Sequence, residues 1–99
     1  MVHLVLMKFR PGKLDDEVMQ VFQETYTALK QELQGKILSV HLWRNCVVRD
    51  QNMDLLIQLE LSAKEDLQTY LQHPRHKAMI QRYQPDLLSV VSFDREGML

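Results

Sequence analysis

The apolar positions of this chain follow two periods, two and about 3.6 residues, and the changes of period mark out its strands and helices. Residues 2–9 read as a strand with faces His3/Val5/Met7/Phe9 and Val2/Leu4/Leu6/Lys8. Both faces are apolar for most of their length, which predicts burial on both sides. One layer of helices covers only one face of a sheet. The other face then needs a cover, and a second copy of the chain is the simplest one. Arg10-Pro11-Gly12 is turn material and ends the strand.

Residues 15–33 take up the helical period. Asp15, Asp16 and Glu17 put negative charge where the helix dipole favours it. Val18, Phe22, Thr25/Tyr26, Leu29 and Leu33 form the predicted buried stripe, with Gln20, Gln23, Glu24, Lys30 and Gln31 on the solvated side. Gly35 stops the helix. Residues 37–45 form a second strand, with faces Ile37/Ser39/His41/Trp43 and Leu38/Val40/Leu42/Arg44. Arg49-Asp50-Gln51-Asn52 predicts a hairpin connection. In the third strand, 54–61, Leu55, Ile57, Leu59 and Leu61 alternate with Leu56, Gln58 and Glu60 and define the core side. Ser62-Ala63-Lys64-Glu65 has the form of a capping box and predicts a helix start there.

That helix cannot run on. The residue before a proline is pushed out of the α region, so it ends near Leu71 and a second piece begins at Pro74, with His73 as its cap. Ala78, Met79 and Tyr83 make the apolar side of the second piece, and Pro85 closes it. Residues 87–93 are the last strand, and 94–99 read as a polar, frayed tail. The order β-α-β-β-α-β is the split βαβ pattern of an α+β, ferredoxin-like protomer.

Tyr70-Leu71-Gln72-His73-Pro74-Arg75-His76 resembles the Y-x-x-H-P-x-H segment of the stress-responsive A/B barrel domain family. His3-Leu4-Val5-Leu6-Met7-Lys8-Phe9 is similar to that family's opening strand, and the likeness runs on through Gly35-Lys36-Ile37-Leu38, Arg44-Asn45 and Asp54-Leu55 to about Asp94. The resemblance implies a homodimer in which two sheets pack face to face as a dimeric α/β barrel. It also implies a single domain over 1–99, with its ordered core at about 2–94.

Bulk composition narrows the partners. A chain of 99 residues buries only about 60–70% of its unfolded surface when folded alone, so burial in a dimer would help. The formal net charge of −1 argues against nucleic acid and anionic membranes as partners. The single Cys46 cannot form an internal disulfide and reads as a small packing residue near a strand end. No apolar run reaches the roughly 18 residues of a membrane span. Strand-like sequence begins at Val2, which leaves no room for a signal peptide and makes the cytoplasm the expected location.

Of the four histidines, His3, His41, His73 and His76, two belong to a constellation that the resemblance implies. In the family's plant polyketide cyclases, a first-strand histidine, the motif tyrosine and the motif's second histidine line a cavity between helices and sheet. By position these are His3, Tyr70 and His76. The cyclases' further third-strand histidine is unmatched, and Leu55 stands near its place. An imidazole takes a proton near neutral pH, and a phenol stabilises a developing enolate, so an aldol-type closure needs no cofactor. His76 is then the base, Tyr70 its positioning partner and oxyanion donor, and His3 a contact to the substrate carbonyl or a second relay.

Other readings stand beside this one. His3 and His76 form a structural hydrogen-bonded pair, or His73 and His76 hold a metal with His3 nearby, although spacing places no third ligand. Some plant members carry magnesium at the dimer interface, where Gln58 and Glu60 are the oxygen donors this chain offers. Tyr26 reads as a half-buried tyrosine or a pocket hydroxyl, and His41 as a packing or interface residue. Two function classes remain: a stress-associated protein whose small hydrophobic pocket binds a carbonyl or phenolic compound, and a cofactor-independent acid–base enzyme of cyclase, isomerase or decarboxylase type. The related fold also hosts cofactorless monooxygenases, for which no residue here is diagnostic.

Overall fold

The third strand decides which side of the sheet is inside. Leu55, Ile57, Leu59 and Leu61 are at most 1% exposed, whereas Leu56, Gln58 and Glu60 between them are half-buried. The structure, a computed structural model, describes residues 1–98. Its elements are β1 (Val2–Phe9), α1 (Asp16–Glu32), β2 (Ile37–Arg44), β3 (Leu55–Leu61), α2 (Asp66–Gln72), α3 (Pro74–Tyr83), a single 3-10 turn (Gln84–Asp86) and β4 (Leu87–Arg95). The strands form one antiparallel sheet in the order β2-β3-β1-β4. This is the ferredoxin-like α+β arrangement, with β1 and β3 central and the helices on the face that carries His3, Val5, Met7 and Phe9.

Helix α1 starts as its acidic residues require. The Asp15 side chain accepts a hydrogen bond from the Val18 N–H at 2.9 Å and caps the helix. The buried stripe is Met19, Phe22, Tyr26 and Leu29. Met19 belongs to it, and Thr25 is only half-buried, its hydroxyl turned back onto the Val21 carbonyl. Gly35 takes φ 84° just past the helix, a conformation in which a side chain would be strained.

Several local expectations change. The pairing of β2 with β3 shifts between Ile37 and Ser39, so Ile37 joins Val40 and Leu42 in the core instead of following Ser39 outward. No helix begins at Ser62. The Lys36 carbonyl holds the Ser62 N–H at 2.9 Å as a strand end, and the Ser62 hydroxyl bonds the Asp66 carboxylate, so α2 starts four residues later with no side-chain cap. Strand β4 runs on to Arg95, which places Asp94 opposite His3 in place of the frayed tail; Leu99, the end of that segment, lies outside the described residues. Ala78 is exposed, and α3 turns Met79, Ile80 and Tyr83 inward. Cys46 is exposed beyond the end of β2.

The outer face is layered by register. One row runs Trp43, Leu56, Leu6 and Val91, and the next runs His41, Gln58, Leu4 and Phe93. Trp43 is 57% and Phe93 62% exposed. No element of the described chain covers this face.

Inside, the Tyr83 ring packs on Phe22 at 5.1 Å between centroids, but its buried hydroxyl has no partner among the described residues. A buried unpaired hydroxyl costs about 1–3 kcal/mol. Tyr83→Phe keeps the ring and removes that cost. Urea denaturation should show it as stable as the parent or up to about 1 kcal/mol more stable. A loss of similar size would mean that the hydroxyl is bonded after all.

Candidate functional site

His73 is where the candidate site is made. It leaves helical geometry (φ −62°, ψ 136°), its N–H closes α2 on the Tyr70 carbonyl at 3.1 Å, and its Nδ1 accepts from the Arg75 N–H at 3.1 Å to cap α3. Pro74 follows in the first turn. The break places Tyr70, 1% exposed, against the sheet and swings His76 onto it, with ring centroids 4.6 Å apart. His3 reaches the same tyrosine from β1, edge-on at 5.8 Å. The three residues singled out from the sequence therefore lie together, joined by ring contacts.

Their hydrogen bonds run elsewhere. His76 Nδ1–H donates to the Leu71 carbonyl at 3.1 Å, which leaves Nε2 as the acceptor of the neutral ring. Burial pushes the His76 pKa below its ordinary value; the Leu71 bond opposes this, and repulsion from His3 and His73 adds to it. His3, 4% exposed, donates from Nδ1 to the Asp94 carboxylate. The two histidines are thus not hydrogen-bonded to each other, and the structural pair expected between them is replaced by two separate anchors. Tyr70 does not hydrogen-bond to either histidine. Its hydroxyl pairs with that of Tyr26 at 2.5 Å, and burial raises both phenol pKa values, so both stay protonated.

Tyr26 also lines an open cleft of about 620 Å³ between α1 and β2, together with Gln23, Thr27, Lys30, Gln34 and Val40. His3, Tyr70 and His76 are not among its lining residues. Tyr26 is therefore the joint between the cleft and the aromatic stack. One member of this site, Asp94, and the pairing of Tyr26 with Tyr70 escaped the sequence reading. Asp94 looked like tail, although antiparallel register extended one step past Phe93 would have set it opposite His3. The Tyr26–Tyr70 bond leaves no trace in local spacing.

Among the described residues no group of three His, Cys, Asp or Glu side chains is placed to hold a metal. His73 spends Nδ1 on its cap, and its Nε2 lies 3.9 Å from the Glu32 carboxylate. On the outer face, His41 stacks on Trp43 with centroids 6.0 Å apart, the Trp43 indole donates to Gln58 at 3.2 Å, and Ser39 bonds Glu60 at 3.4 Å.

The sheet order and the helix pair define a ferredoxin-like α+β protein with a buried histidine–tyrosine stack. The chain belongs to the Stress responsive A/B Barrel Domain family, whose profile matches residues 1–96. Three of the solved structures that share the fold illustrate it. A dimeric protein of unknown function from Bacteroides fragilis is 24% identical with TM-score 0.78, over 97% of this chain and 94% of that one. A Dabb family protein from Mesorhizobium loti is 15% identical with TM-score 0.73, over 98% and 95%. The hydroxynitrile lyase from Passiflora edulis is 11% identical with TM-score 0.71, over 99% and 95%. A search of curated proteins gave no significant match. No helix among the described residues is long and apolar enough to cross a membrane.

The lowered pKa of His76 has a consequence for stability. The unfolded chain takes up that proton near pH 6.5, and the folded chain only at lower pH. Between the two values the unfolded state binds more protons. The contribution is therefore complete above about pH 6.5 and is lost as pH falls through the folded value. His76→Gln keeps a donor for the Leu71 carbonyl and does not titrate. Urea midpoints at pH 7.5 and pH 5 should fall closer together for this variant than for the parent. An unchanged spacing would show that His76 does not carry the effect.

Proposed function

We propose that the chain is a cytoplasmic homodimer that binds a small carbonyl or phenolic compound through the cleft beside Tyr26 and the His76–Tyr70–His3 stack behind it. The observation that carries this reading is the state of His76: a neutral imidazole, its Nδ1–H fixed on the Leu71 carbonyl, packed at 4.6 Å on a phenol that stays protonated. His76 Nε2 offers an acceptor to an oxygenated ligand, and the Tyr70 hydroxyl offers a donor when Tyr26 is the donor in their shared bond. Homodimerisation rests on the uncovered outer face and on the Bacteroides fragilis neighbour, which is described as dimeric.

The same observation favours a second reading, acid–base catalysis of cyclase type without a cofactor. His76 Nε2 would take a proton from the carbon beside a carbonyl, and Tyr70 would donate to the enolate oxygen that forms, leaving an imidazolium to return the proton. One fold neighbour is named as a lyase, which shows that this scaffold supports chemistry in at least one protein.

Two measurements test these readings. Sedimentation at micromolar concentration should give twice the chain mass, and Leu6→Lys, which puts a charge in the Trp43–Leu56–Leu6–Val91 row, should shift it toward the monomer. A well-folded parent monomer would remove the barrel. For the site, NMR line broadening with a panel of small phenols and β-keto compounds is compared for the parent, His3→Leu, His76→Leu and the double variant. Binding should be lost in the double variant while its spectrum stays dispersed. Binding that survives both replacements would exclude the histidines as contacts. For the catalytic reading, turnover of a bound β-keto compound should fall on the acid side as His76 protonates; a compound that binds and is never turned over leaves only the binding protein.

A further inference from the structure

At one end of the sheet, the β1–α1 turn, the β2–β3 loop and the start of β4 enclose a cleft of about 400 Å³. We infer that this cleft binds a small organic carboxylate, with its charge on Lys8 and Arg10 and its apolar body against Leu88 and Val48. The inference is independent of the function proposed above and uses none of its residues.

Charge is the first argument. Lys8, Arg10, Arg44 and Arg49 line the cleft against Asp50 and Asp54, so it carries an excess of two positive charges in a chain whose formal net charge is −1. The next question is which cations are already neutralised. Arg44 is, because it pairs with Asp16 at 2.7 Å and also donates to the Leu14 carbonyl. Asp54 is partly spent, accepting the Phe9 N–H at 2.8 Å.

Lys8 and Arg10 differ from Arg44. Their ion-pair partners are absent among the described residues, and carbonyl oxygens hold them instead. Lys8 Nζ donates to the carbonyls of Asp50 at 3.1 Å and Asn52 at 2.7 Å, and Arg10 Nε donates to that of Pro85 at 3.1 Å. A carbonyl fixes the position of a cation without cancelling its charge. An ammonium has three donors and a guanidinium five, so each keeps donors to offer. The two free terminal nitrogens of Arg10 have the fork geometry that a carboxylate accepts in bidentate fashion.

The walls select the kind of anion. Leu88 is 52% exposed and Val48 fully so, beside Phe9 and Leu14. Inorganic phosphate would leave that apolar surface wet. An aromatic or aliphatic acid would cover it and remove that apolar area from water.

The test is a titration of 15N-labelled protein with sodium benzoate, sodium acetate and sodium phosphate at constant ionic strength, with sodium chloride as control. Benzoate should give saturable shifts grouped at residues 8–14, 44–50 and 87–88, with a Kd at least tenfold below those of acetate and phosphate. Arg10→Gln, at an exposed side chain anchored by one bond, should weaken benzoate binding about tenfold with an otherwise unchanged spectrum. Lys8→Met with Arg10→Gln should abolish saturation. Shifts that track the chloride control, a phosphate affinity equal to that for benzoate, or a Kd unmoved in Arg10→Gln would each overturn the assignment.

Discussion

In an unbroken α-helix, residues six apart lie about 120° from each other around the axis and cannot stack. Tyr70 and His76 are six apart, yet their rings meet at 4.6 Å. The break at His73-Pro74 makes this possible, and the candidate site depends on it. Pro74 forbids helical geometry at His73, and the extended ψ of 136° there redirects the chain. The imidazole of His73 then repairs the damage by accepting an orphan N–H of the new helix, while Glu32 of α1 binds Arg75 from across the break. A backbone restriction written in two adjacent residues is thus converted into a side-chain contact between elements.

This explains why the centre of the site was legible in the sequence while its surroundings were not. Proline acts locally, and so does the alternation of Leu55, Ile57, Leu59 and Leu61, so the helix break and the core side of the sheet can both be read from neighbours in the chain. Once those are placed, β1 carries His3 to Tyr70 by topology. What could not be read depends on pairing across long separations. The shift between Ile37 and Ser39 moves Ile37 to the core side of β2, and it appears only in the register with β3. Asp94 is polar and follows an apolar strand, so its composition resembles a tail; its place is set by a partner 91 residues away. Ser62 has the right residue type for a cap, but Lys36 claims its N–H first.

The buried polar groups of the stack are matched with care. His3 has Asp94, His76 has the Leu71 carbonyl, and the two tyrosines have each other. Unpaired, each would cost about 1–3 kcal/mol. Tyr83, with its lone hydroxyl, shows what the fold tolerates when no partner is near. The difference between them is placement: the paired groups lie where two helices and the sheet converge, and Tyr83 sits against Phe22.

The pairing also fixes protonation, and this is where structure turns into chemistry. A carbonyl can only accept, so Leu71 determines which nitrogen of His76 carries the hydrogen. Burial and two neighbouring histidines keep the ring neutral, and the same burial keeps both phenols protonated. Had Tyr70 bonded His76 directly, its proton and the Nε2 lone pair would have satisfied each other, and neither would be available to a ligand. Instead the Tyr70 hydroxyl is paired with Tyr26 of α1. Because Tyr26 also lines the cleft, a ligand seated there meets the residue whose hydroxyl is already committed to Tyr70. An oxygen in the cleft that reached the Tyr26 hydroxyl would compete with Tyr70 for it, because the two phenols share one hydrogen bond of 2.5 Å.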